Sequence, residues 1–107
     1  MKNNKYKLYF DTSNRQSVKI KLFLNGDLVA EKSQLHLLTS QILLILIEKV
    51  LRNNGLTVRQ ISEIEFNPGP GSYTGLKIGA AVGNTLGWLL NIPVNGKKKT
   101  IALPVYQ

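Results

Sequence analysis

Gly75, Gly79, Gly83 and Gly87 recur every four residues in a stretch free of proline. In a helix that spacing lines them along one side as a strip without side chains. A glycine in a helix interior costs about 1 kcal/mol relative to alanine. Four of them are explicable where something approaches the helix backbone closely. The candidates are a sheet beneath it, a neighbouring helix or another chain. The strip therefore predicts a helix from about Thr74 to Leu90, entered through Asn67-Pro68-Gly69-Pro70-Gly71-Ser72-Tyr73-Thr74-Gly75. In that turn proline blocks helix and glycine permits unusual backbone angles.

The segments before it alternate with the period of strands. Lys5 to Asp11 sets Tyr6, Leu8 and Phe10 against Lys7, Tyr9 and Asp11, and Ser17 to Leu24 sets Val18, Ile20, Leu22 and Leu24 against lysines. Asn25-Gly26 supplies the positive-φ pair of a tight hairpin, and a third strand returns through Leu28 to Glu31. Strands joined so closely are antiparallel neighbours, because a parallel pair needs a long crossover. Ser33 or Ser40 is the expected cap of a first helix reaching Asn53, with Asn54-Gly55 as its stop. Ile42 to Ile47 is apolar almost all round that helix, so one side covers the sheet and another asks for a second apolar surface. Ile61, Ile64 and Phe66 mark a fourth strand, parallel to the first because a helical crossover leads to it, and Ile92 to Val94 is a fifth. The expectation is an α/β fold, a five-stranded mixed sheet with two main helices.

A chain of 107 residues holds one core, so residues 1–107 are read as a single domain with a short tail from about 97 to 107. The longest apolar run is far shorter than the roughly 18 residues of a membrane span, and Met1-Lys2-Asn3-Asn4 leads into strand rather than signal peptide, which predicts a cytosolic protein. No cysteine and a single histidine, His36, leave no zinc-type ligand set. The expectation is no metal and no cofactor. The net charge of +8 suits a polyanion, and equally a solubilised surface. Lys97-Lys98-Lys99 is read as a solvated turn.

The helix start after Gly69-Pro70-Gly71-Ser72 is a place where unpaired N–H groups favour anions, but the P-loop ending and the dinucleotide fingerprint are both missing. Ser72 and Thr74 serve equally as caps. Asp11-Thr12-Ser13 at the end of the first strand offers one carboxylate, a poor metal site alone, which equally holds its own turn. An enzyme needs a metal or a nucleophile with a positioned base, and neither is visible.

Two segments carry a family likeness. Leu8-Tyr9-Phe10-Asp11-Thr12-Ser13 resembles the opening strand of TsaB (YeaZ) proteins. Gly69-Pro70-Gly71-Ser72-Tyr73-Thr74-Gly75-Leu76-Lys77-Ile78-Gly79 resembles their most characteristic stretch, with Tyr and Lys where Phe and Arg are common. The resemblance runs from about Lys5 to Gly96. It implies an actin-like, ribonuclease-H-like domain. Family members are about twice this size, which implies loss of the second lobe, and Leu103-Pro104-Val105-Tyr106 looks like their C-terminal end. His36 lies about one turn too early to match the start of the family's first helix and is read as a surface or capping residue.

The resemblance also implies a role. TsaB looks like a catalytically degenerate relative of TsaD, the subunit that transfers the threonylcarbamoyl group to the adenosine beside the tRNA anticodon. TsaB binds TsaD through two helices, and TsaE joins them. Here those helices are residues 39–51 and 74–90, which implies partner contact through Leu43, Leu46, Ile47, Val50, Tyr73, Thr74, Leu76, Gly79, Val82, Gly83 and Leu86. Gly79→Leu or Gly83→Leu is then expected to weaken partner binding more than folding. The alternatives are a homodimer through the same helices, and a stand-alone nucleotide- or phosphate-binding module using Asp11 and the Ser72 to Gly75 helix start.

Overall fold

The computed structural model of the chain describes residues 4–14, 16–35 and 39–97. His36 and the tail beyond Lys97, with Lys98, Lys99 and the Leu103 to Tyr106 segment, lie outside the described residues.

Four strands form one sheet: β1 (Tyr6–Asp11), β2 (Ser17–Leu24), β3 (Asp27–Leu35) and β4 (Ile61–Phe66), in the order β3-β2-β1-β4. β2 is antiparallel to β1 and β3, while β4 is parallel to β1. The β2–β3 hairpin turns on Asn25 and Gly26, both at positive φ (51° and 91°), so the two-residue turn follows the strand twist. β3 is longer than its apolar pattern suggests, because pairing runs from Asp27 opposite Leu24 to Leu35 opposite Ser17. Ser33 is therefore a strand residue. Helix α1 (Ser40–Asn53) is capped by Thr39, whose Oγ1 accepts the Ile42 N–H at 3.1 Å. Gly55 at φ 73° and the Asn54 amide, which donates to the Val50 carbonyl at 2.7 Å, close its far end.

A short 3-10 turn, Val58–Gln60, leads into β4, and α2 (Tyr73–Leu90) follows it. Both helices lie on one side of the sheet. Leu8 and Phe10 of β1, Val18, Ile20 and Leu22 of β2, and Ile64 and Phe66 of β4 form one buried cluster with Leu43, Ile47 and Leu51 of α1 and Ala80 and Val82 of α2. The other side of the sheet carries the alternate residues. There Lys7 meets Glu65 at 3.1 Å and Lys21 meets Glu31 at 4.0 Å.

The expected fifth strand is not formed: among the described residues the sheet has four strands, and Val94 makes only isolated bridges, to Ile64 and to Lys97. Asn91 and Asn95 both take left-handed conformations (φ 56° and 51°), which leaves three residues between two turns. Pro93 among them has no N–H. The Pro93 carbonyl accepts from Ile64 N at 3.0 Å and the Asn95 N–H donates to the Ile64 carbonyl at 2.9 Å, while the next β4 donor, Phe66 N–H, is met by the Asn95 side-chain Oδ1 at 2.8 Å in place of a ladder carbonyl.

Candidate functional site

The glycine strip of α2 is filled by the chain's own sheet. A Cβ on Gly75 would collide with the Thr12 carbonyl, and one on Gly79 with Thr12 Oγ1. On Gly83 it would lie 2.8 Å from a ring carbon of Phe66 and 3.2 Å from Phe10, and on Gly87 it would collide with Val94. The helix backbone thus rests directly on β1, β4 and the Val94 bridge. Phe10 and Phe66 stack beneath it with ring centres 6.0 Å apart. This answers what approaches the strip, and it moves the expected effect of Gly79→Leu and Gly83→Leu from partner binding to folding, since both would overpack the core.

The turn before α2 is fastened to the end of β1. Thr12 is buried, and its hydroxyl donates to the Gly75 carbonyl at 2.7 Å. Ser72 N–H donates to the Ser13 carbonyl at 2.8 Å, and Ser72 Oγ caps the helix by accepting from Gly75 N at 3.3 Å. A Cβ on Gly71 would sit 2.6 Å from the Ser13 carbonyl oxygen, so only glycine lets the two loops meet this closely. Asp11 Oδ1 accepts from Ser13 N at 2.9 Å and from Asn67 Nδ2 at 3.2 Å. Partial burial opposes its charge, but hydrogen bonds from Ser13 and Asn67 and the Lys19 charge outweigh that and hold the carboxyl below its ordinary pKa. Tyr9, two residues earlier, is shifted up by burial first and then by the Asp11 and Glu65 charges. The motif residues therefore bind one another: Asp11 holds Asn67 and its own turn, and Ser72 caps α2.

Exposed large apolar residues lie on β3, where Leu28, Val29 and Leu35 face solvent, and on both helices. Leu44 and Ile45 of α1 are 45% and 48% exposed, and Trp88 and Leu89 of α2 are 81% and 67% exposed. An apolar groove of about 420 Å³ lies along α1, lined by Leu44, Ile47, Glu48, Leu51 and Arg52 together with Leu56 to Val58 and Leu86 of α2. Glu48 and Arg52 are ion-paired one helical turn apart. Lys77 lies over the ring of Tyr73, 5.7 Å from its centre.

Of the residues singled out from the sequence, Leu43, Leu46, Ile47, Val50, Leu76, Gly79, Val82 and Gly83 are buried inside this chain. Tyr73 and Thr74 are exposed at the start of α2, and Leu86 is half-buried in the groove wall. The sequence reading missed Leu44, Ile45, Trp88 and Leu89. A signal exists for Trp88: once the glycines mark the arc of α2 that meets the sheet, a residue about half a turn from that arc must face outward, whereas α1 carries no such marker.

The described residues form an α/β unit of the actin-like kind, in which a glycine-faced helix is locked to the first strand. A Bacteroides thetaiotaomicron protein with an actin-like ATPase fold superposes with TM-score 0.56 over 85% of this chain and 32% of its own; at 14% identity the likeness is one of fold. YeaZ from Pseudomonas aeruginosa is 27% identical with TM-score 0.75, over 84% of this chain and 42% of its own. The tRNA threonylcarbamoyladenosine biosynthesis protein TsaB of Haemophilus influenzae is 36% identical over 52 residues, which is 49% of this chain and 22% of that protein. The family model described as TsaD, tRNA N6-adenosine threonylcarbamoyltransferase, matches residues 33–103. The chain belongs to this family, within its TsaB (YeaZ) group. It spans less than half the length of the relatives it matches.

Proposed function

We propose that this chain is a non-catalytic scaffold subunit in the biosynthesis of tRNA threonylcarbamoyladenosine, which binds and activates the transferase TsaD. In this reading TsaE joins the complex, and tRNA is reached through the complex. The observation that carries it is the outward layer of α1 and α2, where Leu44, Ile45, Trp88 and Leu89 stand exposed together with an apolar groove. Clustered apolar surface of this kind marks an interaction site in a small protein. Exposed Tyr73 and Thr74 and half-buried Leu86 belong to the proposed contact. Leu43, Leu46, Ile47, Val50, Leu76, Gly79, Val82 and Gly83 support it from beneath by fixing how the two helices sit.

The stand-alone nucleotide- or phosphate-binding reading has less behind it, because Asp11 and Ser72 are already engaged by Ser13, Asn67 and Gly75. The test is a titration of the purified chain with TsaD from its own organism, read by light scattering on a sizing column. A one-to-one complex at micromolar concentration is the expected result. A folded chain that leaves TsaD unbound contradicts the proposal.

A further inference from the structure

Asn95 and Gly96 make the two-residue turn of a hairpin that the described chain only begins. Both take positive φ (51° and 79°), as a tight primed turn requires. Val94 and Lys97 exchange both of their backbone hydrogen bonds across it, each at 3.0 Å. Val94 runs parallel to β4 at Ile64, and Lys97 is antiparallel to Val94. The chain therefore leaves Lys97 heading back toward Ile61, the start of β4. The flank it passes offers no further donor to a ladder: Pro93 has no N–H, and the Ile92 N–H already donates to the Gly87 carbonyl at 3.0 Å.

The apolar groove along α1 borders this path at both ends. Val58, in its lining, belongs to the 3-10 turn just before Ile61. Leu86, also in its lining, precedes Gly87, whose missing side chain makes room for Val94. Ten residues follow Lys97 in the sequence, and Ile101-Ala102-Leu103-Pro104-Val105-Tyr106 among them is an uncharged run rich in apolar side chains. From the level of Ile64 to that of Ile61 is about 10 Å of strand, a distance that residues 98–100 can cover. Residues 101–106 reach about 20 Å when extended, more than the ~10 Å of α1 between Leu44 and Leu51. Pro104 disfavours helix at the residue before it, which suits an extended segment lying in a groove.

We propose that the groove along α1 is the docking site of the chain's own residues 101–106. A tethered segment meets its site at an effective concentration in the millimolar range, which a second copy reaches only in concentrated solution. The net charge of +8 further opposes a second copy. Docking removes from water both the groove and an apolar run that the four strands do not use. A partner that needs the groove must displace the segment.

The chain has no cysteine, so an introduced pair reports on itself alone. In the full chain, Arg52→Cys/Leu103→Cys places one thiol in the groove lining and one in the segment. The control, Lys19→Cys/Leu103→Cys, places the first on the exposed outer side of β2. Under mild oxidation of dilute protein the groove pair is expected to close its intrachain disulfide at least tenfold faster than the control. A second readout needs no cysteine. Ile101→Ser/Leu103→Ser, shown by circular dichroism to be folded, is expected to bind a hydrophobic fluorescent dye several-fold more than the unaltered chain, and adding Leu44→Glu is expected to abolish that gain. Equal closure rates for the two pairs overturn the proposal, as does a dye signal that the segment variant leaves unchanged. Disulfides that form between chains rather than within one, identified by mass, assign the groove to a second copy and overturn it as well.

Discussion

Thr12 Oγ1 donates to the Gly75 carbonyl at 2.7 Å while lying against the position a Cβ of Gly79 would occupy. One side chain therefore both ties the start of α2 to β1 and leaves no room for a larger residue one turn on. Gly79→Ala is expected to destabilise the chain by about 1 to 3 kcal/mol through overpacking, despite alanine's better helix propensity. Thr12→Ala is expected to cost about 1 kcal/mol through the lost hydrogen bond. The double variant should be more stable than the two single losses predict, because removing the hydroxyl opens the space that the new methyl needs. Urea unfolding of all four chains gives the coupling energy; a value near zero would place the contact elsewhere.

Gly83 faces a harder wall. A Cβ there meets the rings of Phe66 and Phe10 at 2.8 and 3.2 Å, and both rings are fully packed. Gly83→Leu is expected to abolish cooperative unfolding, seen as loss of the near-ultraviolet dichroism of the folded chain. A folded Gly83→Leu chain that merely loses its partner would mean that the strip faces outward after all.

Much of this was legible in the sequence. The alternation of Leu8 and Phe10, the Asn25-Gly26 turn and the four-residue glycine spacing lead directly to β1, the hairpin and α2, because each is a local geometric demand. The fifth strand was not legible. Whether Ile92 to Val94 extends a ladder depends on the conformations of Asn91 and Asn95, which are set by the surroundings rather than by the apolar pattern. The length of β3 was hidden for a similar reason: Glu31 to Leu35 pair as an edge whose side chains are largely exposed, so no burial pattern marks them. At the candidate site the two helices were identified, but apolarity alone did not separate inward from outward positions. Leu43 and Leu44 are adjacent and equally apolar, yet only the sheet contact decides that Leu43 is buried and Leu44 is not.

Acid stability should carry the mark of Asp11. Its folded pKa lies below the ordinary carboxylate value, so between the two values the unfolded chain binds the extra proton and stability rises with pH. The contribution is present in full above the unfolded pKa and is lost as pH falls through the folded one. Asp11→Asn should keep most of the turn's hydrogen bonds and remove that dependence. Urea midpoints measured from pH 7 downward are expected to fall less steeply for the variant; parallel curves would mean that Asp11 does not titrate differently on folding.

Trp88 is the sole tryptophan and stands 81% exposed on the outer helical layer. Its emission should be that of a water-exposed indole in the free chain and should shift to the blue when a partner covers the face. Trp88→Ser is expected to change folding stability by less than about 0.5 kcal/mol, since surface changes away from packed features cost little. An already blue-shifted free chain, or a large loss of stability on substitution, would show the face to be occupied by the chain itself.

The most direct measurement is calorimetric binding of TsaD from the same organism to the folded chain and, in parallel, to a Leu44→Ser/Leu89→Ser variant. The expected result is a one-to-one complex with the unaltered chain and at least tenfold weaker binding by the variant at unchanged stability, as for truncation at the centre of an interface. Absence of binding by the folded chain, or equal binding by the variant, contradicts the assignment of the helical layer as the surface through which this chain acts.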